Sequence, residues 1–328
     1  MLRPLLSVLA VLAAVTVRPS AVLAEPSTMT PLRVGVISRT VFYVPVWAGR
    51  TTGLFAEQGL DVNVSVLDNG EKANEELRAG GLQVTIASTE GLIQDVEAGG
   101  PLRIVAGNAA KLPHFIIAQS RFKRFEDLKG ATFGVLSLQE GTTFVLRRIA
   151  ARHGLSPKDY AEKAVGGAPT RWRLLQAGAI DAGLQPFPLS YEAEGAGFTN
   201  MGPAFDYIAD WQFSTINVNR DWAAANPATL ERFLVGMLRA TDWMYAHKDI
   251  AAGITVVEVS TLHPYAIRAI EDTIRYGILP RDLGISAPGL INVLESMRDV
   301  GLLPAGKPVQ PEKYQETVYL ERARAAAK

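Results

Sequence analysis

From Leu32 onward, short runs of apolar and β-branched residues alternate with stretches whose apolar positions recur every three to four residues. Leu32–Ile37 (LRVGVI), bounded by Pro31 and Ser38, predicts a buried strand. A helix is expected over 46–58, ending near Gly59, then a strand from Val62 to Leu67. Glu71–Ala79 predicts a helix stopped by Gly80-Gly81. Val84–Ala87 follows as a strand, 90–98 as a helix and Leu102–Ala106 as a strand. Strands that alternate with helices imply a parallel sheet covered on both faces.

The scheme then restarts. His114–Gln119 is extended, Phe125–Lys129 a short helix and Ala131–Leu136 a strand. Helices over 141–153, 169–177 and 187–194 alternate with strands over 161–165 and 179–184. The stretch Leu77-Arg-Ala-Gly-Gly-Leu-Gln-Val-Thr-Ile-Ala aligns with Leu175-Gln-Ala-Gly-Ala-Ile-Asp-Ala-Gly-Leu-Gln, 98 residues later. In both, a helix closes on Ala-Gly and a strand begins shortly after. An echo at so long a period points to two similar lobes, with convergence on a common helix–Gly–strand pattern as the alternative. Residues 213–219 are extended, and the chain is mostly helical beyond them: one long amphipathic helix over Asp221–Met244, then 265–276 and 287–300. The two lobes are expected to be joined by extended segments near 114–119 and 213–219.

The N-terminus changes the picture. Arg3 precedes an apolar run from Leu5 to Val17, then come Arg18-Pro19-Ser20 and small residues up to Ala24. This is the form of a secretory signal peptide, residues 1–24, and the run is shorter than the roughly 20 apolar residues of a spanning helix. No cysteine occurs in the 328 residues, which excludes thiolate nucleophiles and metal sites, disulfides and a lipidated cysteine. The chain carries 33 basic and 33 acidic residues; without 1–24 the balance is 31 to 33, too little positive charge for a nucleic-acid partner.

Several stretches together resemble a known family, the periplasmic substrate-binding proteins of ABC importers for nitrate, sulfonates and thiamine precursors (the SsuA and THI5/NMT1 group). These are Gly53-Leu-Phe-Ala-Glu-Gln-Gly-Leu-Asp-Val62, Phe125-Glu-Asp-Leu-Lys-Gly130, Ala177-Gly-Ala-Ile-Asp-Ala182 behind Gly166-Gly167 and Arg171, and Val218-Asn-Arg-Asp-Trp222 before Asn226-Pro227. The resemblance implies a type II periplasmic binding protein: α/β, with a mostly parallel sheet in each lobe and a two-segment hinge. Lobe one would hold 30–116 plus 216–328, and lobe two 117–215. It also implies a monomeric flytrap that hands a small molecule to a membrane permease, with no cofactor and no catalysis. A binder of thiamine-precursor pyrimidines, an enzyme on the same frame and a sensory module are the competing readings. One departure is visible: the family's acidic residue at the start of the lobe-one strand is Gln83 here, whereas Asp181 keeps it in lobe two.

In open parallel sheets, ligands bind beyond the carboxyl ends of the strands, so the loops there are candidate walls. The first holds Ser38, Arg39, Thr40, Phe42 and Tyr43, a set that suits a small anion or a planar ligand; a solvated charge and core rings are the bland counterpart. Asn69, beside Asp68, is a second candidate, or an Asx turn. Ser88, Thr89 and Glu90 either cap a helix or offer its free N–H groups. Asn108 follows the fourth strand. Ser137, Gly141, Thr142 and Thr143 open a helix where glycine allows close approach; an N-cap by Thr142 is the ordinary reading. Arg171 sits in the first turn of its helix, where the helix dipole does not favour a cation, which points to a specific partner: a ligand anion or an acidic neighbour. Gln185 closes the set.

The four histidines, 114, 153, 247 and 263, show no metal-ligand spacing, so no metal is expected. Arg39, Lys111 and Arg171 favour an anion, such as a sulfonate, a carboxylate or nitrate; Glu90 and Glu140 favour an amine-bearing ligand.

Overall fold

In a computed structural model, residues 29–67, 70–306 and 308–327 are described. The leader 1–24 and Asn69 lie outside them. The strands are β1 (Thr30–Val36), β2 (Leu60–Val66), β3 (Val84–Ser88), β4 (Leu102–Ala109), β5 (His114–Ala118), β6 (Thr132–Val135), β7 (Ala161–Ala164), β8 (Ala182–Pro186), β9 (Thr199–Pro203) and β10 (Ser214–Asn219). The helices are α1 (Val44–Thr51), α2 (Gly70–Ala79), α3 (Thr89–Glu97), α4 (Gly141–Arg152), α5 (Ala168–Gln176) and α6 (Leu189–Gly195), then α7 (Arg220–Ala225), α8 (Pro227–Ala246), α9 (Lys248–Val259), α10 (His263–Arg275), α11 (Ala287–Asp299) and α12 (Val318–Ala326).

Ten strands form two five-stranded mixed sheets of the same plan, β2-β1-β3-β10-β4 and β7-β6-β8-β5-β9. β1 is parallel to β2 and β3, while β10 is antiparallel to β3 and β4. β6 is parallel to β7 and β8, while β5 is antiparallel to β8 and β9. Four strands of each sheet therefore run one way, as expected, and the fourth position is reversed. That reversed strand is the one next to a crossing. β5 belongs wholly to the second sheet and β10 to the first, so the connections between lobes are 110–113 and 204–213. The stretches expected to be connectors, 114–119 and 213–219, instead lie almost wholly inside sheets.

The 98-residue echo falls on equivalent places, α2–β3 in one lobe and α5–β8 in the other. It also explains Gln83. Gln83 Oε1 accepts the Arg33 backbone N–H at 3.0 Å, tying β3 to β1. Asp181 Oδ2 accepts the Thr132 N–H at 2.8 Å, tying β8 to β6. An amide oxygen does in lobe one what a carboxylate does in lobe two.

Three expectations fail for local reasons. The helix over 46–58 ends at Thr51, and a separate 3-10 turn, Ala56–Gln58, precedes Gly59 in the left-handed region at φ 68°. The long helix over 221–244 is two, because Pro227 lacks the N–H a continuous helix needs and instead sits at the first position of α8. The strand expected at 179–184 begins at Ala182, since Gly178 (φ 66°) turns the chain out of α5 first. β9, α9 and α12 were not anticipated. α12 packs on α8 and β4, and α9 packs on α10 and α1, so the C-terminal helices close over lobe one.

The lobes meet along two further contacts. On α6 and α10, the Tyr191 hydroxyl donates to Asp272 at 2.6 Å and Arg268 pairs with Glu194 at 3.2 Å. Between α4 and α11, Arg148 pairs with Asp299 at 3.2 Å.

Candidate functional site

Between the lobes lies a cavity of about 40 Å³. It adjoins an outer chamber of about 220 Å³, with which it shares Ser88, Leu136 and Glu140 as wall residues. The inner cavity is built from the starts of four helices. Tyr43 precedes α1, Ser88 precedes α3, Glu140 and Thr142 open α4, and Gly167 and Ala168 open α5, all on its wall. Helix starts carry the positive end of a dipole, so four of them together favour negative charge, although at α1 the Val44 N–H already donates to the Val41 carbonyl and at α4 the Thr142 N–H donates to Glu140. Phe42, Phe213, Leu136 and Pro186 supply apolar walls.

Arg171 is the one cationic side chain in this lining. Its methylene stem crosses the second sheet over Gly134 and Gly183, which are register partners on β6 and β8. A Cβ at Gly183 would stand 3.0 Å from Arg171 Cδ, and one at Gly134 would stand 3.3 Å from its Cγ. Two adjacent glycines thus make the trough that lets the guanidinium reach the cavity. Arg171 is 3 % exposed, and its Nε has no hydrogen-bond partner among the described residues. Burial lowers its pKa to about 10, against the pull of Glu140, so it stays cationic at neutral pH. A buried cation is costly unless it is fully paired, and here Glu140 supplies opposite charge while Nε is left without an acceptor among the described residues.

Other polar groups around it are unsatisfied too. Among the described residues His114 Nδ1 is buried without a partner, and the buried Tyr43 hydroxyl closes no hydrogen bond of good geometry, with the Ile37 backbone and Ser38 beside it. His114 lies between Phe213, 5.0 Å away, and Phe42, 6.4 Å away; burial, then Arg171, hold its pKa well below the usual value, so it is neutral. Gln185 is fully buried with neither amide atom bonded, two residues beyond Gly183 and on the same face of β8.

Two carboxyls bracket the cavity. Glu140 caps α4, accepting the Thr142 N–H at 3.2 Å and the Thr142 hydroxyl. The cap is therefore Glu140 and not Thr142. Burial nevertheless raises its pKa to about 7. Glu90, in the first turn of α3, is 1 % exposed and packs on Gly141 across the lobe interface. Burial, then the charge of Glu140, raises it to about 8.

Of the residues expected at the site, the structure places Thr40, Phe42, Tyr43, Ser88, Thr142 and Arg171 on the inner wall. Ser137 lines the outer chamber. Arg39 does not reach either: its side chain is 48 % exposed and pairs with Glu258 at 3.1 Å, because the loop after β1 turns it toward α9. Lys111 likewise is spent on the Tyr276 carbonyl at 2.8 Å. Thr89 donates to the Gln212 carbonyl, Thr143 to the Ser137 carbonyl, and Asn108 to the Phe42 carbonyl and Ser214 hydroxyl. These three hold the walls in place and do not line the cavity. Glu90 and Gly141 form the interface beside it. His114 and Phe213 are wall residues that the sequence did not single out, whereas Glu140, expected there only if the ligand carries an amine, is also on the wall. His114 and Phe213 were read only as strand residues; the reversal of β5, and Phe213 just ahead of β10, bring them to the cavity.

Comparison with known proteins follows the same lines. The NMT1/THI5-like family matches residues 42–251. YtlA of Bacillus subtilis, named as a candidate binding protein, is 25% identical over 249 residues, 70% of this chain and 71% of its own. The periplasmic nitrate-binding protein NrtA of Synechocystis PCC 6803 superposes with a TM-score of 0.75 at 16% identity, covering 91% of this chain and 89% of that one. The periplasmic aliphatic sulphonate-binding protein SsuA of Escherichia coli does so with a TM-score of 0.68 at 17% identity, covering 88% and 92%. The fold is thus the two-lobed periplasmic binding protein fold, and with the match running through both lobes, the chain belongs to the NMT1/THI5-like family.

Proposed function

We propose that this protein is the extracytoplasmic ligand-binding component of an ABC-type importer, and that it captures a small organic anion, a carboxylate or sulfonate with a short apolar body. The observation that carries the reading is Arg171: a buried guanidinium whose Nε has no partner, aimed into a cavity ringed by four helix starts. A bound carboxylate or sulfonate would complete it with charge-assisted hydrogen bonds. The Tyr43 hydroxyl is a second donor for the same head group, and Phe42, Phe213 and Leu136 would cover its apolar part.

The leader at 1–24 directs the chain across the inner membrane, and the mature protein acts there as a monomer, without a cofactor. Ligand enters while the lobes are apart. The lobes then close about 110–113 and 204–213, and the closed form docks on the permease. Closure can be driven only by a ligand that binds the closed arrangement more tightly. The ligand is released unchanged.

A thermal-shift screen of residues 25–328 tests this. The panel holds nitrate, alkyl and aryl sulfonates, aromatic carboxylates and thiamine-precursor pyrimidines. A ligand that binds only the folded form raises the melting temperature. A shift with a carboxylate or sulfonate, recovered unaltered, supports the reading. A shift with the pyrimidines alone, or chemical conversion of the compound, contradicts it.

A further inference from the structure

Glu90 and Glu140 stand on opposite lobes, at the starts of α3 and α4, and the interface between the lobes buries both. Among the described residues neither oxygen of Glu90 closes a hydrogen bond of good geometry, although the Gly141 backbone and the Trp211 indole lie close enough to favour its charged form in part. We propose that lobe closure captures a proton together with the ligand, and that the Glu90–Glu140 pair is the site that holds it. The proposal rests on the flytrap reading above.

Among the described residues the charge that acts on Glu90 is a like charge. Its charged neighbour is Glu140; Arg171 acts on Glu140 from α5, and His114 on β5 is neutral. Along α3 itself, Asp95 is paired with Arg78 of α2, and Glu97 with Lys313. From α11, Asp299 is paired with Arg148. The charge of Glu140 acts on Glu90 in a buried interface, which disfavours ionisation of both together and favours retention of a proton. The pKa values of about 8 and about 7 agree with this.

The sign of the coupling follows. When the lobes part, both carboxyls return to water and to the ordinary carboxylate range. The open form then ionises at a pH where the closed form still holds the proton, so closing takes a proton up. Closure is unpenalised below about pH 4.5 and weakens as pH rises toward about 8, tenfold per unit for each coupled group. An anion seated on Arg171 offsets the help Arg171 gives to ionised Glu140, and so strengthens proton retention. The captured species is in effect the anion plus one proton.

The test uses the protein without added anion, so its failure is separate from a failure of the ligand panel. Infrared spectra at neutral pH are expected to contain the carbonyl stretch of a protonated carboxylic acid, weakened in Glu90→Gln. Small-angle scattering is expected to show the radius of gyration rising from about pH 5 to about pH 9 in the wild type. The rise is reduced in Glu90→Gln and absent when Glu140→Gln is added. The single variant is isosteric and carries the test if the double one does not fold. A wild type whose dimensions ignore pH, or an acid band untouched by Glu90→Gln, would overturn the proposal.

Discussion

Glu90 of the first lobe packs so closely on Gly141 of the second that a Cβ there would overlap its carboxylate and stand 3.2 Å from Trp211 Cζ2. Gly141 is the first residue of α4 and has an ordinary helical backbone, so alanine suits it locally and favours the helix by up to about 1 kcal/mol. Gly141→Ala is therefore expected to keep or slightly raise the melting temperature while holding the lobes apart. Scattering would show a larger radius of gyration, and ligand affinity would fall at least about tenfold. Unchanged affinity would mean that this contact does not belong to the closed form.

His114 gives a pH dependence of the opposite sense to the carboxyl pair. Its folded pKa is depressed, so below about pH 6.5 the unfolded chain binds a proton that the fold refuses. Stability from this group is complete above that pH and declines by about 1.4 kcal/mol for each unit below it. His114→Gln is expected to flatten the acid side of a plot of melting temperature against pH. Chemical denaturation at several pH values checks this.

Gln83 and Asp181 show how the repeated plan is legible, and where it stops. The echo in the sequence put both at the same point of their lobes, and each ties its strand to the neighbouring parallel strand, β1 or β6. Asp181 carries more, because it also pairs with Arg121. Asp181→Ala is expected to cost about 1–3 kcal/mol in urea denaturation and Gln83→Ala about 1. Equal costs would remove the difference assigned to the ion pair.

Periodicity and glycine placement made the α/β alternation and most of the helix starts readable, because those are local properties. The cavity walls at the helix starts followed from that. What could not be read was which polar side chains are spent on the protein itself. Arg39 and Arg171 look alike in sequence, and Arg39 is neutralised by Glu258, more than two hundred residues away. Arg39→Ala is accordingly expected to leave affinity within about twofold, since an exposed ion pair contributes little. A large loss on titration would return Arg39 to the site. His114 and Phe213 were hidden for a related reason: the reversal of β5 and β10 is a property of the topology.

The central claim is that an anion sits on Arg171. Isothermal titration of nitrate, an alkyl sulfonate and an aromatic carboxylate into residues 25–328, wild type and Arg171→Met, tests it most directly. The variant removes a buried cation and with it the charge that acts on Glu140, so its melting temperature is measured alongside to show that it is folded. The account predicts that the wild type binds the sulfonate or the carboxylate and that the well-folded variant loses at least about a hundredfold in affinity. Equal binding by the two proteins would contradict it.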